Sequence, residues 1–191
     1  SAALRAAIAA CRTCAGHLPH GVRPVASFSA TARLLIIGQA PGSKVHESGI
    51  PWDDASGDRL REWTGLTKAQ MYDPARVALV PMGFCYPGKA SGGDKPPRPE
   101  CAPLWHDRVQ AKLPEDRLTL LVGMHAQKAY LPDTKGWTMA RRVEHVNVSL
   151  SSAGLYVSAE SALGTTPAFF ETTLEFAQNQ LSTVPESIGQ L

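Results

Sequence analysis

No run of apolar residues in this chain is long enough to span a membrane, because Arg33 and the glycines at 38 and 42 bracket the longest aliphatic block. A helical membrane anchor is thereby excluded as the organising element. Net charge is also scarce: 19 Lys and Arg against 17 Asp and Glu leave +2, with a pI of about 8.4. That balance permits a polyanionic partner without demanding one, so any basic surface has to arise by clustering. There is no Gly-x-Ser-x-Gly elbow, no phosphate-binding loop ending in Lys-Ser/Thr and no dinucleotide fingerprint. Their absence removes the support for a small-molecule α/β hydrolase or a nucleotide-binding protein. Internal repeats and domain linkers are missing too, so the 191 residues are expected to form one domain, with a loose tail over 182–191. The first ten residues suggest a short Ala-rich helix carrying Arg5, without an apolar signal core, and a cytoplasmic protein is expected.

The most informative stretch is Leu34-Leu35-Ile36-Ile37-Gly38-Gln39-Ala40-Pro41-Gly42. Four consecutive large aliphatics predict a strand buried on both faces, ended by a tight turn where parallel sheets usually place a ligand. Helices are expected over 2–12, after a cap at Ser56 or Asp58 up to Gly65, and over 100–113, 126–131, 136–147 and 169–181. Further strands are expected at 76–81, 118–122 and 155–157, while Lys89 to Pro99 reads as an irregular surface loop. Strands alternate with helices, so the expected fold class is α/β: a three-layer α/β/α sandwich around a mostly parallel four-stranded sheet.

The four cysteines form the first chemical pattern: Cys11-x-x-Cys14, then Cys85 and Cys101 far downstream. A two-residue gap lets two thiolates face one group, and the distant pair joins them only if the fold brings the loops together. Four thiolates suit either a tetrahedral zinc or a four-iron cluster, and spacing alone does not choose.

With Gly38 to Gly42, the following Gly49-Ile50-Pro51-Trp52 and Ser56-Gly57-x-x-Leu60, and the four cysteines, the chain resembles the uracil-DNA glycosylase superfamily, specifically its bacterial iron–sulfur branch. The resemblance spans about residues 4 to 131. It implies a monomeric DNA-repair glycosylase that flips a damaged base, uracil foremost, out of DNA and hydrolyses its N-glycosidic bond. The alternative is a catalytically silent relative that binds DNA through the same groove. It further implies a 4Fe-4S cluster on Cys11, Cys14, Cys85 and Cys101, with structural zinc as the alternative.

Gly38, Gln39, Ala40, Pro41 and Gly42 would approach the base and its sugar, and Trp52 would be the platform on which the base stacks. Gln39, Ala40, His46 and Asp53 are the catalytic candidates, with Asp54 nearby and His125 as a further donor to the base. Lys44, Lys89, Lys95 and Arg98 would track the phosphate backbone. The family's His-Pro-Ser segment corresponds here to residues 157–162, which keep Ser161 as a phosphate contact but have no histidine. The family's base-reading Asn, expected just before the third cysteine, is replaced by Pro81-Met82-Gly83-Phe84.

Overall fold

A computed structural model describes residues 2–115, 117–138, 141–142, 149–151 and 154–159. The chain opens with α1 (Ala2–Ala9), which buries Leu4 and Ile8 one turn apart on the same face. β1 (Leu34–Ile37) follows, and three helices, α2 (Ser43–Ser48), α3 (Ala55–Thr64) and α4 (Lys68–Met71), lead to β2 (Val77–Leu79). A hairpin of β3 (Lys89–Ala90) and β4 (Gly93–Asp94) precedes α5 (Cys101–Gln110), β5 (Leu118–Val122) and α6 (Met124–Tyr130). β6 (Ser149–Ser151) and β7 (Gly154–Ala159) are the last described elements.

The main sheet has the order β2-β1-β5-β7-β6. Its first four strands run parallel, whereas β6 pairs antiparallel with β7 through Leu150 and Leu155. The sheet is therefore one strand larger than the four-stranded expectation, by an antiparallel edge.

β1 sits inside the sheet, and its alternate residues serve opposite faces. Leu35 and Ile37 pack with Leu4 and Ile8 of α1, Trp105 and Val109 of α5 and Ala126 of α6. Leu34 and Ile36 pack with Leu60 and Trp63 of α3 and Met71 of α4. Helices thus cover both faces, which is why β1 has no polar residue: each of its side chains is removed from water, at roughly 1.5–3 kcal/mol apiece.

Three local readings are corrected. Residues 89–99 are not wholly irregular, because Ala90 pairs with Gly93 and Lys89 with Asp94 around a two-residue Ser91-Gly92 connection. The cap of α3 is neither Ser56 nor Asp58 but Asp54, whose Oδ1 accepts the N–H of Gly57 at 2.9 Å. α1 stops at Ala9, three residues short of the expected end. Of the helix expected over 136–147, residues 136–138 are not helical and most of the rest lies outside the described residues, as do the helix over 169–181 and the tail.

After β1 the chain crosses one face to β2, then returns past β1 to β5 and continues on the other side. Neighbouring strands β1 and β5 therefore send their connections in opposite directions, which leaves a crevice beyond their carboxyl ends.

Candidate active site

That crevice is an open cavity of about 400 Å³, lined by Gly38 to Gly42 from the β1 turn, Pro81 beyond β2 and Val122-Gly123 from the end of β5. The turn is pinned from below, since Met82 N–H donates to Gly38 C=O at 2.9 Å and Gly83 N–H to Gln39 C=O at 3.0 Å.

Trp52 forms a wall of the cavity, and glycines on two elements make room for it. A Cβ on Gly38 would stand 2.6 Å from Cζ2 of the indole, so the ring lies directly against the β1 turn. A Cβ on Gly57 would stand 1.7 Å from the Trp52 carbonyl oxygen, which leans into the first turn of α3. The Tyr72 hydroxyl donates to the same oxygen at 3.1 Å. Trp52 has φ 58°, the only positive value at a non-glycine position among the described residues. A bulky residue held there costs on the order of 1–3 kcal/mol, which the surrounding contacts have to offset.

The hairpin supplies the opposite wall. Gln39 Nε2 donates to the Lys95 carbonyl at 3.4 Å, and Tyr86 donates its hydroxyl hydrogen to Asp94 Oδ1 at 3.3 Å. Asp94 and Asp54 both line the cavity, each with an oxygen beside Gly42. Neither sequence proximity nor the resemblance singled out Asp94; an acid after two glycines reads as turn chemistry, and only β3–β4 pairing brings it to the β1 turn.

Of the candidates read from the sequence, Gly38, Gln39, Ala40, Pro41, Gly42 and Trp52 meet at this cavity. Asp53 is not among its lining residues; its neighbour Asp54 is. His46 lies outside it, with Nε2 donating to the His20 carbonyl at 3.1 Å and its ring 5.8 Å from that of Tyr86. His125 lines a different groove, beside Pro97 and Tyr130, where burial and then Lys128 hold its pKa below the ordinary value. Lys44, Lys89 and Lys95 are exposed. Arg98 is engaged elsewhere, gripping Glu100 through Nη2 to Oε1 at 2.6 Å and Nε to Oε2 at 3.2 Å. Arg142 is buried on Thr134, and the exposed Arg141 lies over the Trp137 ring. Ser161 lies outside the described residues.

Cys11, Cys14, Cys85 and Cys101 line one narrow cavity of about 20 Å³ between α1 and the start of α5. Burial pushes the Cys101 thiol up to about 12, against the pull of the Phe84 N–H that donates to its sulfur. Cys85 and Cys14 are also raised, chiefly by burial. At Cys11 burial is outweighed by the Thr13 hydroxyl and backbone, Trp105 and Arg12, and its pKa is lowered. Among the described residues, no three His, Cys, Asp or Glu side chains converge closely enough to hold a single metal ion.

A family model described as the uracil DNA glycosylase superfamily matches residues 25–178. The chain belongs to that superfamily. Uracil DNA glycosylase superfamily proteins act on DNA as glycosylases, and the crevice described above lies inside the matched region. The match continues well past residue 131, where the resemblance ended, and begins after Cys11 and Cys14. No helix among the described residues is long and apolar enough to cross a membrane.

The cavity wall at Pro81 rests on a buried histidine. The Pro81 carbonyl can only accept, so His106 Nε2 carries the proton of their 3.0 Å bond and Nδ1 accepts from the Tyr130 hydroxyl at 2.5 Å. Gln110 Nε2 donates to the same Tyr130 oxygen at 3.0 Å. Burial lowers the His106 pKa, although Pro81 and Asp107 pull the other way. Below the ordinary histidine value of about 6.5 the unfolded chain therefore takes up a proton that the folded one does not. Stability from this site is full above that value and is lost as pH falls toward the folded pKa. Urea denaturation between about pH 7.5 and pH 5 should show falling stability in wild type and a flatter dependence in His106→Gln.

Proposed function

We propose that this protein is a DNA-repair glycosylase that extrudes a damaged base, uracil foremost, into the crevice beyond β1 and β5 and hydrolyses its N-glycosidic bond. The observation that carries this reading is the placement of Trp52 against the Gly38 turn, which leaves an indole and a backbone-lined bend as adjoining walls of one open cavity. An extruded base is held by stacking on such a ring and by hydrogen bonds from nearby backbone and side-chain groups. Bond cleavage then needs water near the sugar carbon, negative charge beside the oxocarbenium-like sugar, and a donor for the departing base. The exposed Lys44, Lys89 and Lys95 suit contacts to DNA phosphates, which makes binding weaken with added salt.

An inorganic group on the four cysteines is part of this proposal. Their common cavity, the Phe84 N–H aimed at Cys101 and their thiol chemistry support it. A zinc ion needs all four sulfurs about 2.3 Å from one point, whereas a four-iron cluster takes thiolates spread around a larger body. The cluster is the first reading and structural zinc the second. Its role would be structural, tying α1 to the start of α5 beside the DNA-binding hairpin.

One observation favours the catalytically silent alternative: no histidine lines the crevice among the described residues. Incubation with a uracil-containing oligonucleotide followed by alkali separates the two readings. Strand breakage is expected, and Trp52→Leu should weaken substrate binding by about 1–3 kcal/mol, or roughly tenfold to a hundredfold. Tight binding of the oligonucleotide without breakage would establish the silent relative instead.

A further inference from the structure

Asp54 and Asp94 are the two ionisable side chains among the described residues lining the crevice. Each gives one carboxylate oxygen to the scaffold. Asp54 Oδ1 accepts the Gly57 N–H at 2.9 Å, and Asp94 Oδ1 accepts the Tyr86 hydroxyl at 3.3 Å. Each has its second oxygen beside Gly42. A Cβ on Gly42 would stand 3.4 Å from Asp94 Oδ2 and 3.9 Å from Asp54 Oδ2. Because residue 42 has no side chain, neither of these oxygens is covered from its side, and both carboxylates line the same open cavity.

We infer that Asp94, which shares the cavity wall at Gly42 with Asp54, is a catalytic residue of this site: it holds the hydrolytic water and accepts its proton. The inference rests on the glycosylase reading and adds the residue that reading lacks. Other candidates are committed elsewhere, since the Gln39 amide is bound to the Lys95 carbonyl and His46 lies outside the cavity. In the step, the water oxygen bonds to the sugar C1′ while the glycosidic electron pair leaves on the base nitrogen. One water proton passes to Asp94 Oδ2 and the other stays on the new C1′ hydroxyl. The base anion is then protonated, by Asp94 or by solvent. Before bond formation is complete, the two carboxylates also stabilise the positive charge on the sugar.

Asp94 sits on an exposed hairpin, so replacing it should leave the fold intact, within about 0.5 kcal/mol by urea denaturation. Asp94→Asn preserves shape and the bond from Tyr86 but removes the proton acceptor. Single-turnover excision from a uracil oligonucleotide should slow by about 10²–10³-fold in Asp94→Asn, with affinity for the same DNA within roughly threefold of wild type. Asp94→Glu, which keeps the proton acceptor, should restore part of the lost rate. Tyr86→Phe should lower the rate by about threefold to tenfold through loss of one orienting hydrogen bond. An Asp94→Asn rate within about threefold of an active wild type would overturn this inference and leave the glycosylase reading standing. A wild type that binds DNA but excises no uracil would overturn both.

Discussion

Gly57→Ala is expected to destabilise the protein by about 4 kcal/mol and to abolish activity, although alanine is by propensity the better helix residue by roughly 1 kcal/mol. The sign is set by the Trp52 carbonyl. An added Cβ would stand 1.7 Å from its oxygen and 2.7 Å from its carbon, and a backbone carbonyl cannot rotate aside as a side chain does. Either residue 52 or the first turn of α3 has to move. Moving the first breaks the Tyr72 bond and shifts the indole off the Gly38 turn; moving the second loosens the Asp54 cap. Overpacking, a lost cap and a lost hydrogen bond each cost on the order of 1–2 kcal/mol, which outweighs the propensity gain. Gly16→Ala is the control, because nothing lies within 4 Å of the position its Cβ would take and its φ is not positive. Urea denaturation should leave Gly16→Ala close to wild type and move the Gly57→Ala midpoint far down. Equal midpoints for the two variants would mean that Trp52 is not held as described.

That expectation also shows why the site was only partly legible in the sequence. β1 and its turn were readable because a strand sealed on both faces needs an unbroken apolar run, and a close approach at its end needs glycine. Gly57 could be named as part of a familiar pattern, but its reason, the carbonyl of a residue five positions earlier, exists only once Trp52 adopts a left-handed backbone. His46 and Asp53 illustrate the opposite error. They are close to Trp52 along the chain, yet α2 carries His46 to the His20 and Tyr86 rings, and Asp54, as cap of α3, takes the place at the cavity. Arg98 reads as a free cation in a loop of prolines and glycines until Glu100 is seen to grip the Nε–Nη2 edge of its guanidinium. Asp94 was unreadable for a different reason: the hairpin that delivers it is two residues long on each side, too short for any periodicity to register.

The largest effect on folding is expected from the cysteines, and Cys14→Ser is the variant that discriminates. Cys14 is half-buried, with its thiol 3.8 Å from the Glu100 carboxylate and beside the Arg98 guanidinium. If the four thiols were merely buried side chains, exchanging sulfur for oxygen here would change stability by no more than about 0.5 kcal/mol. If they hold a common group, its binding free energy is folding free energy, and losing one ligand removes several kcal/mol, on the order of 5 or more. The chain is built to feel that loss. Leu4 and Ile8 seat α1 against Trp105 and Val109, and Cys11 and Cys14 follow directly where the helix ends, so a bond to Cys85 and Cys101 would fix its far end to α5. The expected result for anaerobically purified wild type is a brown protein containing iron, with Cys14→Ser pale, iron-poor and unfolding at markedly lower urea. Cys101→Ser confounds ligand loss with the burial of a hydroxyl next to the Phe84 N–H, which is why it cannot replace Cys14→Ser as the test. A colourless wild type with stoichiometric zinc would replace the cluster by a single ion drawn in by movement of the four side chains. Metal-free wild type matching Cys14→Ser in stability would remove the inorganic group altogether, and leave α1 held by its apolar face and the hydrogen bond from Arg5 to the Phe28 carbonyl.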